Sequence, residues 1–189
     1  MKILVFDNYD SFTYNLVHMV QQIVSDPVDV YRNDAIALEE VGRYDKIIVS
    51  PGPGLPEESG LLLPLIEAYG SNKSILGVCL GQQAIAQSYG GRLINLKEVY
   101  HGVATPIHIL GNPCGLFDGL PPVIEVGRYH SWVVAEEGFP DTLEITAKDE
   151  QGYIMALQHK QYDVCGVQFH PESVLTPDGA RMLTNWLKR

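Results

Sequence analysis

The sequence predicts an α/β protein with a mostly parallel central sheet, helices on both of its faces and an antiparallel extension. Three observations carry that expectation. Short apolar strands alternate with helix-compatible stretches through the first half of the chain. Those strands read as apolar runs, as strands covered on both faces do. The second half is richer in strands, and alternation in its middle suggests antiparallel hairpins.

The elements follow in order. Ile3–Phe6 reads as a strand, and Asp10 or Ser11 is placed to cap a helix from Phe12 to Ile23. Asp29–Tyr31 is a short strand, and Lys46–Ser50 another, rich in β-branched residues. A helix over Leu61–Tyr69 precedes the strand Ile75–Val78, which runs directly into a helix over Gln82–Tyr89. The strand-rich half gives Thr105–Leu110, Val123–Val126, Leu143–Ala147, Tyr153–His159 and Val164–Phe169. Asp178–Lys188 closes the chain as a helix, with Pro177 near its start and basic residues at its end. No repeat or linker interrupts the sequence, and 189 residues with 46% apolar content suit one domain over 1–189.

A formal charge of −10 repels phosphate backbones and anionic lipid, so neither nucleic acid nor a membrane surface is an expected partner. No apolar run reaches membrane-spanning length, and the apolar part of the first segment is too short for a signal peptide. Three cysteines without regular spacing make no disulfide framework, which fits a reducing cytoplasm.

One cysteine stands apart. In Ile75-Leu76-Gly77-Val78-Cys79-Leu80-Gly81 an apolar strand meets Gly-x-Cys-x-Gly, and a helix follows at once. This is the nucleophile-elbow pattern with sulfur in place of a serine hydroxyl: the glycines permit a sharp turn that lifts Cys79 above the sheet edge. The helix N-terminus beneath it would favour the thiolate. On this segment alone a buried structural cysteine stands beside a catalytic one.

A general base for such a sulfur is most often histidine, held by a third group that fixes its tautomer. His170-Pro171-Glu172 follows the strand Val164–Phe169 and offers both. Two residues apart in extended chain, His170 and Glu172 project to one side, and Pro171 stiffens the segment between them. Alone, the pair also fits a strand-end histidine and a solvated carboxylate. Pro51-Gly52-Pro53-Gly54 follows the strand ending at Ser50. If that strand neighbours Ile75–Val78, the loop shares the ligand-binding edge of the sheet. The Gly52 N–H could then join the Leu80 N–H as an oxyanion hole, whereas an ordinary tight turn would explain the loop by itself. Together the pieces supply nucleophile, base, orienting carboxylate and oxyanion donors, the set acyl transfer needs. No metal-ligand spacing is present. The acidic pairs Glu39-Glu40, Glu57-Glu58 and Glu136-Glu137 read as solvated faces, Cys114 and Cys165 as packing cysteines, and His18, His108 and His159 as surface or satisfied histidines.

Gly77-Val78-Cys79-Leu80-Gly81, Ser50-Pro51-Gly52-Pro53-Gly54 and Gly166-Val167-Gln168-Phe169-His170-Pro171-Glu172 resemble the signatures of class I (triad) glutamine amidotransferases. Phe6–Thr13 and Val126–Ser131 narrow the resemblance to the amidotransferase subunits (component II) of anthranilate synthase and aminodeoxychorismate synthase. The resemblance covers essentially the whole chain. It implies a flavodoxin-like sheet and a Cys79–His170–Glu172 triad, with the N–H groups of Gly52 and Leu80 as the oxyanion hole. Glutamine would lie against Gly52, Pro53, Gly54, Gln83, Ser131 and Trp132. Ammonia would pass to a separate chorismate-using synthase subunit (component I), and no cofactor or metal would be needed. The alternatives are a stand-alone γ-glutamyl hydrolase and a non-catalytic regulatory subunit. Three departures from the pattern stand out: Gln82 in place of a common histidine, Trp132 in place of leucine, and His101-Gly102-Val103 where many relatives have His-Gly-Lys. The last is expected to be a loop near the partner.

Overall fold

The computed structural model describes residues 1–189. Its nine strands form one mixed sheet in the order β2-β1-β3-β4-β9-β8-β7-β5-β6. The parallel half comprises β1 (Ile3–Asp7), β2 (Val28–Arg32), β3 (Lys46–Val49), β4 (Ser74–Val78) and β9 (Val164–Val167). Across the β9 seam the pairing becomes antiparallel, through β8 (Ile154–His159), β7 (Leu143–Asp149), β5 (Leu93–Ile109) and β6 (Val123–Val134).

The apolar strands explain why both faces are covered. Side chains alternate along a strand, so Ile3 and Val5 face one way while Leu4 and Phe6 face the other. The first pair joins a cluster with Leu16, Val17 and Val20 of α1 (Thr13–Ile23) and Met182, Leu183 and Trp186 of α5 (Gly179–Leu187). The second joins Leu62, Leu65 and Ile66 of α3 (Leu62–Tyr69) and Ala84 and Ile85 of α4 (Leu80–Ser88). The clusters contain 24 and 20 buried residues, so neither face of the parallel half is left to solvent. The short α2 (Leu38–Val41) and a 3-10 turn at Pro56–Glu58 have too few residues for a periodic signal and were not expected. No helix is long and apolar enough to cross a membrane.

Three expectations need correction. Residue Phe12, rather than Asp10 or Ser11, flanks the first turn of α1, with no side-chain cap. Asp10 instead accepts the Phe12 N–H at 2.8 Å, and Asp7 accepts the Thr13 hydroxyl at 2.8 Å, so these carboxylates brace the loop before the helix. The largest correction concerns β5 and β6. The sequence predicts strands at Thr105–Leu110 and Val123–Val126, but the observed strands have 17 and 12 residues. They pair with each other along most of that length, with register shifts between Asn95 and Tyr100 and between His101 and Val103. Only Ile107–Ile109 bonds to β7. Most of the ribbon therefore reaches beyond the sheet, and bulges bend it. His101-Gly102-Val103 is strand rather than loop, with His101 opposite Tyr129.

Candidate active site

Cys79 is the single residue between β4 and α4, with φ 53° and ψ −101°. A non-glycine residue in this region costs about 1–3 kcal/mol, which the packing around it must offset. The surrounding sequence leaves no room for a gentler turn. A Cβ on Gly77 would meet the Gly81 carbonyl at 2.5 Å, and one on Gly81 would meet the Val49 oxygen at 2.8 Å. The two glycines thus let α4 sit directly on the sheet. The Cys79 N–H donates to the Val167 carbonyl at 2.8 Å, tying the elbow to β9.

β9 brings the histidine. Gly77 and Val78 lie opposite Gly166 and Val167, so the segments leaving both strands emerge side by side. The His170 N–H donates to the Gly127 carbonyl at 3.0 Å, and its own carbonyl accepts the Thr176 hydroxyl at 2.6 Å. Its Nδ1 lies 2.6 Å from Glu172 Oε1, with both side chains nearly fully buried. A carboxylate accepts there, so Nδ1 carries the proton. Nε2 is buried without a hydrogen-bond partner. Burial alone pushes the imidazole down, but the Cys79 sulfur and the Glu172 carboxylate outweigh it and push His170 up to about 11. The arrangement favours the imidazolium form of His170. Tyr129 packs edge-on against the imidazole at 4.9 Å between centroids, and Phe12 does so at 6.3 Å.

The Pro51–Gly54 loop borders the sulfur. Asn8 braces it, donating from Nδ2 to the Ser50 carbonyl and from its backbone N–H to Ser50 Oγ, both at 2.9 Å. A Cβ on Gly52 would lie 2.6 Å from Asn8 atoms and 2.8 Å from Leu80 Cδ2, so only glycine fits. The Gly52 N–H donates to no group in the chain, and Leu80 opens the helix that follows Cys79. Both border a cavity of about 240 Å³ together with Gly54, Cys79, Gln83, Tyr129, His130, Ser131 and Trp132. Pro53, expected beside this cavity, instead borders a separate depression with Asn8, Tyr9 and Glu58.

Four side chains here were not anticipated as part of the site. Gln83 Nε2 donates to the Trp132 carbonyl at 3.0 Å and to Gln168 Oε1 at 3.2 Å. The carbonyl can only accept, which fixes the orientation of the Gln83 amide and then that of Gln168. Gln168 Nε2 is left facing the Cys79 sulfur at 3.5 Å. The Trp132 carbonyl also bonds His130 Nδ1 at 3.0 Å, while Arg128 Nε donates to His130 Nε2 at 3.1 Å. His130 is therefore neutral, with its proton on Nδ1; burial first and the Arg128 charge second hold it down at about 3. Arg128 is itself buried, paired with Asp149 at 2.7 Å and laid over the Tyr100 ring at 3.5 Å. Tyr129 is the fourth, through its contact with the imidazole. Polar residues within a strand, Arg128 and His130 above all, were the available signal.

Residues 4–189 match the family profile described as glutamine amidotransferase class-I. The chain belongs to that family. Similar in sequence to this amidotransferase is the aminodeoxychorismate synthase component 2 of Escherichia coli, 44% identical over 99% of this chain and 100% of that protein. So is the anthranilate synthase component 2 of Pseudomonas aeruginosa, 42% identical over 99% and 95%. A crystal structure of a putative GMP synthase subunit from Thermoplasma acidophilum matches the fold with a TM-score of 0.88. It is 26% identical, covering 100% of this chain and 92% of that one. The amidotransferase carries its departures from the family pattern in different surroundings. Gln82 is fully buried with neither end of its amide bonded, whereas Trp132 meets Gln83 through its backbone carbonyl.

Proposed function

We propose that this glutamine amidotransferase is the glutamine-hydrolysing component of a two-subunit synthase that uses chorismate, and that it supplies the ammonia. The observation that carries the chemistry is the His170–Glu172 pair beside the Cys79 sulfur, with Gly52 and Leu80 bordering the cavity onto which that sulfur opens. The names of relatives at 42–44% identity along the whole chain support the choice of partner. The Cys79 thiolate attacks the side-chain carboxamide of glutamine, and the N–H groups of Gly52 and Leu80 receive the developing oxyanion. The His170 imidazolium gives its Nε2 proton to the departing ammonia while Glu172 holds Nδ1–H. His170, now neutral, takes a proton from water as it attacks the γ-glutamyl thioester, and glutamate leaves. Gln83, Ser131 and Trp132 hold the substrate across the cavity. A nucleophilic sulfur that must stay reduced supports a cytoplasmic location.

The test pairs the chain with a chorismate-using synthase component and compares two nitrogen sources. Cys79→Ser is expected to lower glutamine-dependent synthesis to background and to leave ammonia-dependent synthesis near the wild-type rate. Glutamine hydrolysis unaffected by any such component would point to a stand-alone γ-glutamyl hydrolase. Wild-type glutamine-dependent rates in the variant would remove Cys79 from the mechanism.

A further inference from the structure

The remaining two cysteines form a cluster of their own, sharing no residue with the cavity around Cys79. Cys165 is buried in β9, and its cross-strand neighbour in β8 is Gln158. Paired residues of neighbouring strands present their side chains on one face. Gln158 Oε1 accepts the backbone N–H of Cys114 at 2.9 Å, which seats Cys114 on that face. Cys114 packs against the core cluster containing Cys165, and it opens on its other side onto a cavity of about 290 Å³. Gln158, His159, Tyr162 and Arg189 border the same cavity. One sulfur is therefore reachable from solvent and the other lies behind it.

The surroundings divide the pair chemically. The neighbouring Cys165 thiol pulls Cys114 down most strongly, burial opposes it, and the Leu116 N–H and the Arg189 charge add to the pull, leaving Cys114 at about 6. Cys165 is pushed well above the ordinary thiol range by the same neighbour and by full burial. At neutral pH the outer sulfur is the thiolate and the inner one the thiol.

We propose that Cys114 and Cys165 are an oxidant-responsive dithiol, in which Cys114 reacts with a hydroperoxide entering this cavity and Cys165 closes the disulfide. The Cys114 thiolate attacks the terminal peroxide oxygen; the O–O bond breaks, and the leaving alkoxide or hydroxide takes up a proton. The resulting sulfenic acid is attacked by Cys165, the S–O bond breaks, and the Cys165 proton leaves with the expelled hydroxide as water. Two thiols are oxidised by two electrons and one hydroperoxide is reduced. The bond joins the segment before Leu116 to β9.

The experiment treats the whole chain, wild type and Cys79→Ala, with hydrogen peroxide and maps its peptides by mass spectrometry. The expected product is a Cys114–Cys165 linked peptide, reversed by a thiol reductant and formed equally in Cys79→Ala. In Cys165→Ser the same treatment yields a Cys114 sulfenic acid that dimedone traps. In Cys114→Ser, which changes only the half-buried position, Cys165 stays reduced. Alkylation of Cys114 by iodoacetamide reaches half its maximal rate near pH 6. The proposal is overturned if both thiols survive peroxide that fully oxidises an equal concentration of glutathione. It is equally overturned if Cys165 oxidises as fast without Cys114, or if Cys114 goes to sulfinic acid with no linked peptide.

Discussion

Gln168 touches the sulfur and borders no part of the cavity beside it, which separates its effect on chemistry from any effect on binding there. A hydrogen bond to a charged group contributes about 1.5–3 kcal/mol, and the long contact to sulfur belongs at the low end. Gln168→Met, close in volume, is expected to lower kcat about tenfold and to leave KM for glutamine within about twofold. Gln168→Glu supplies the diagnostic variant: a carboxylate facing the sulfur disfavours the thiolate, so the acid limb of the pH–rate profile moves upward. A merely structural glutamine would lower the rate without moving that limb. At this scale the convergence of Cys79, His170 and Glu172 was legible. Cys79, His170 and Glu172 sit in short segments whose residue types have few other uses together. Gln168 was not, because a glutamine in a strand carries no signal until its neighbours fix which way its amide points.

Among the elements, the β5–β6 ribbon is what turns a sheet edge into a cavity, since it delivers Tyr129, His130, Ser131 and Trp132 over Cys79. Its sequence hid it. Gly102 weakens the strand signal ahead of Thr105, and the register shifts interrupt the two-residue alternation by which strands are recognised. The Arg128–Asp149 pair fixes the ribbon from inside, with side-chain exposures of 0% and 1%. Removing one partner of such a pair leaves the other charge buried, at a cost of about 3–5 kcal/mol. Arg128→Met should therefore lower the urea midpoint of unfolding substantially and raise KM for glutamine, because His130 loses its fixed tautomer and the Trp132 carbonyl one of its donors. Replacing both charges, Arg128→Met with Asp149→Leu, should recover most of the stability but not the KM. Recovery of both would mean that the ribbon needs only bulk at this position.

Over the whole molecule, two histidines give stability opposite dependences on pH. His130 is held at about 3, below its unfolded value, so between roughly pH 6.5 and 3 the unfolded chain binds a proton that the folded chain does not. Stability then falls as pH falls, by up to about 1.4 kcal/mol per pH unit from this group. His170 is raised to about 11, so its contribution is fully present below roughly pH 6.5 and is lost as pH rises through 11. In the acid window His170 is protonated in both states and adds no slope. Urea unfolding measured from pH 4 to 8 is expected to decline more steeply on the acid side in the wild type than in His130→Gln. Equal slopes would show that His130 is protonated in the folded protein.

The sheet also acts as a ruler. Sulfur and imidazole leave adjacent hydrogen-bonded strands at the seam between its parallel and antiparallel halves, so their separation is set by strand spacing rather than by any helix or loop. Adding a single residue between Val164 and Gln168 would invert every following side chain in that segment and swing the imidazole to the far face. Because both faces are packed, the helices have no slack with which to absorb such a slip. The expected result is a chain that keeps most of its secondary structure and loses its chemistry altogether.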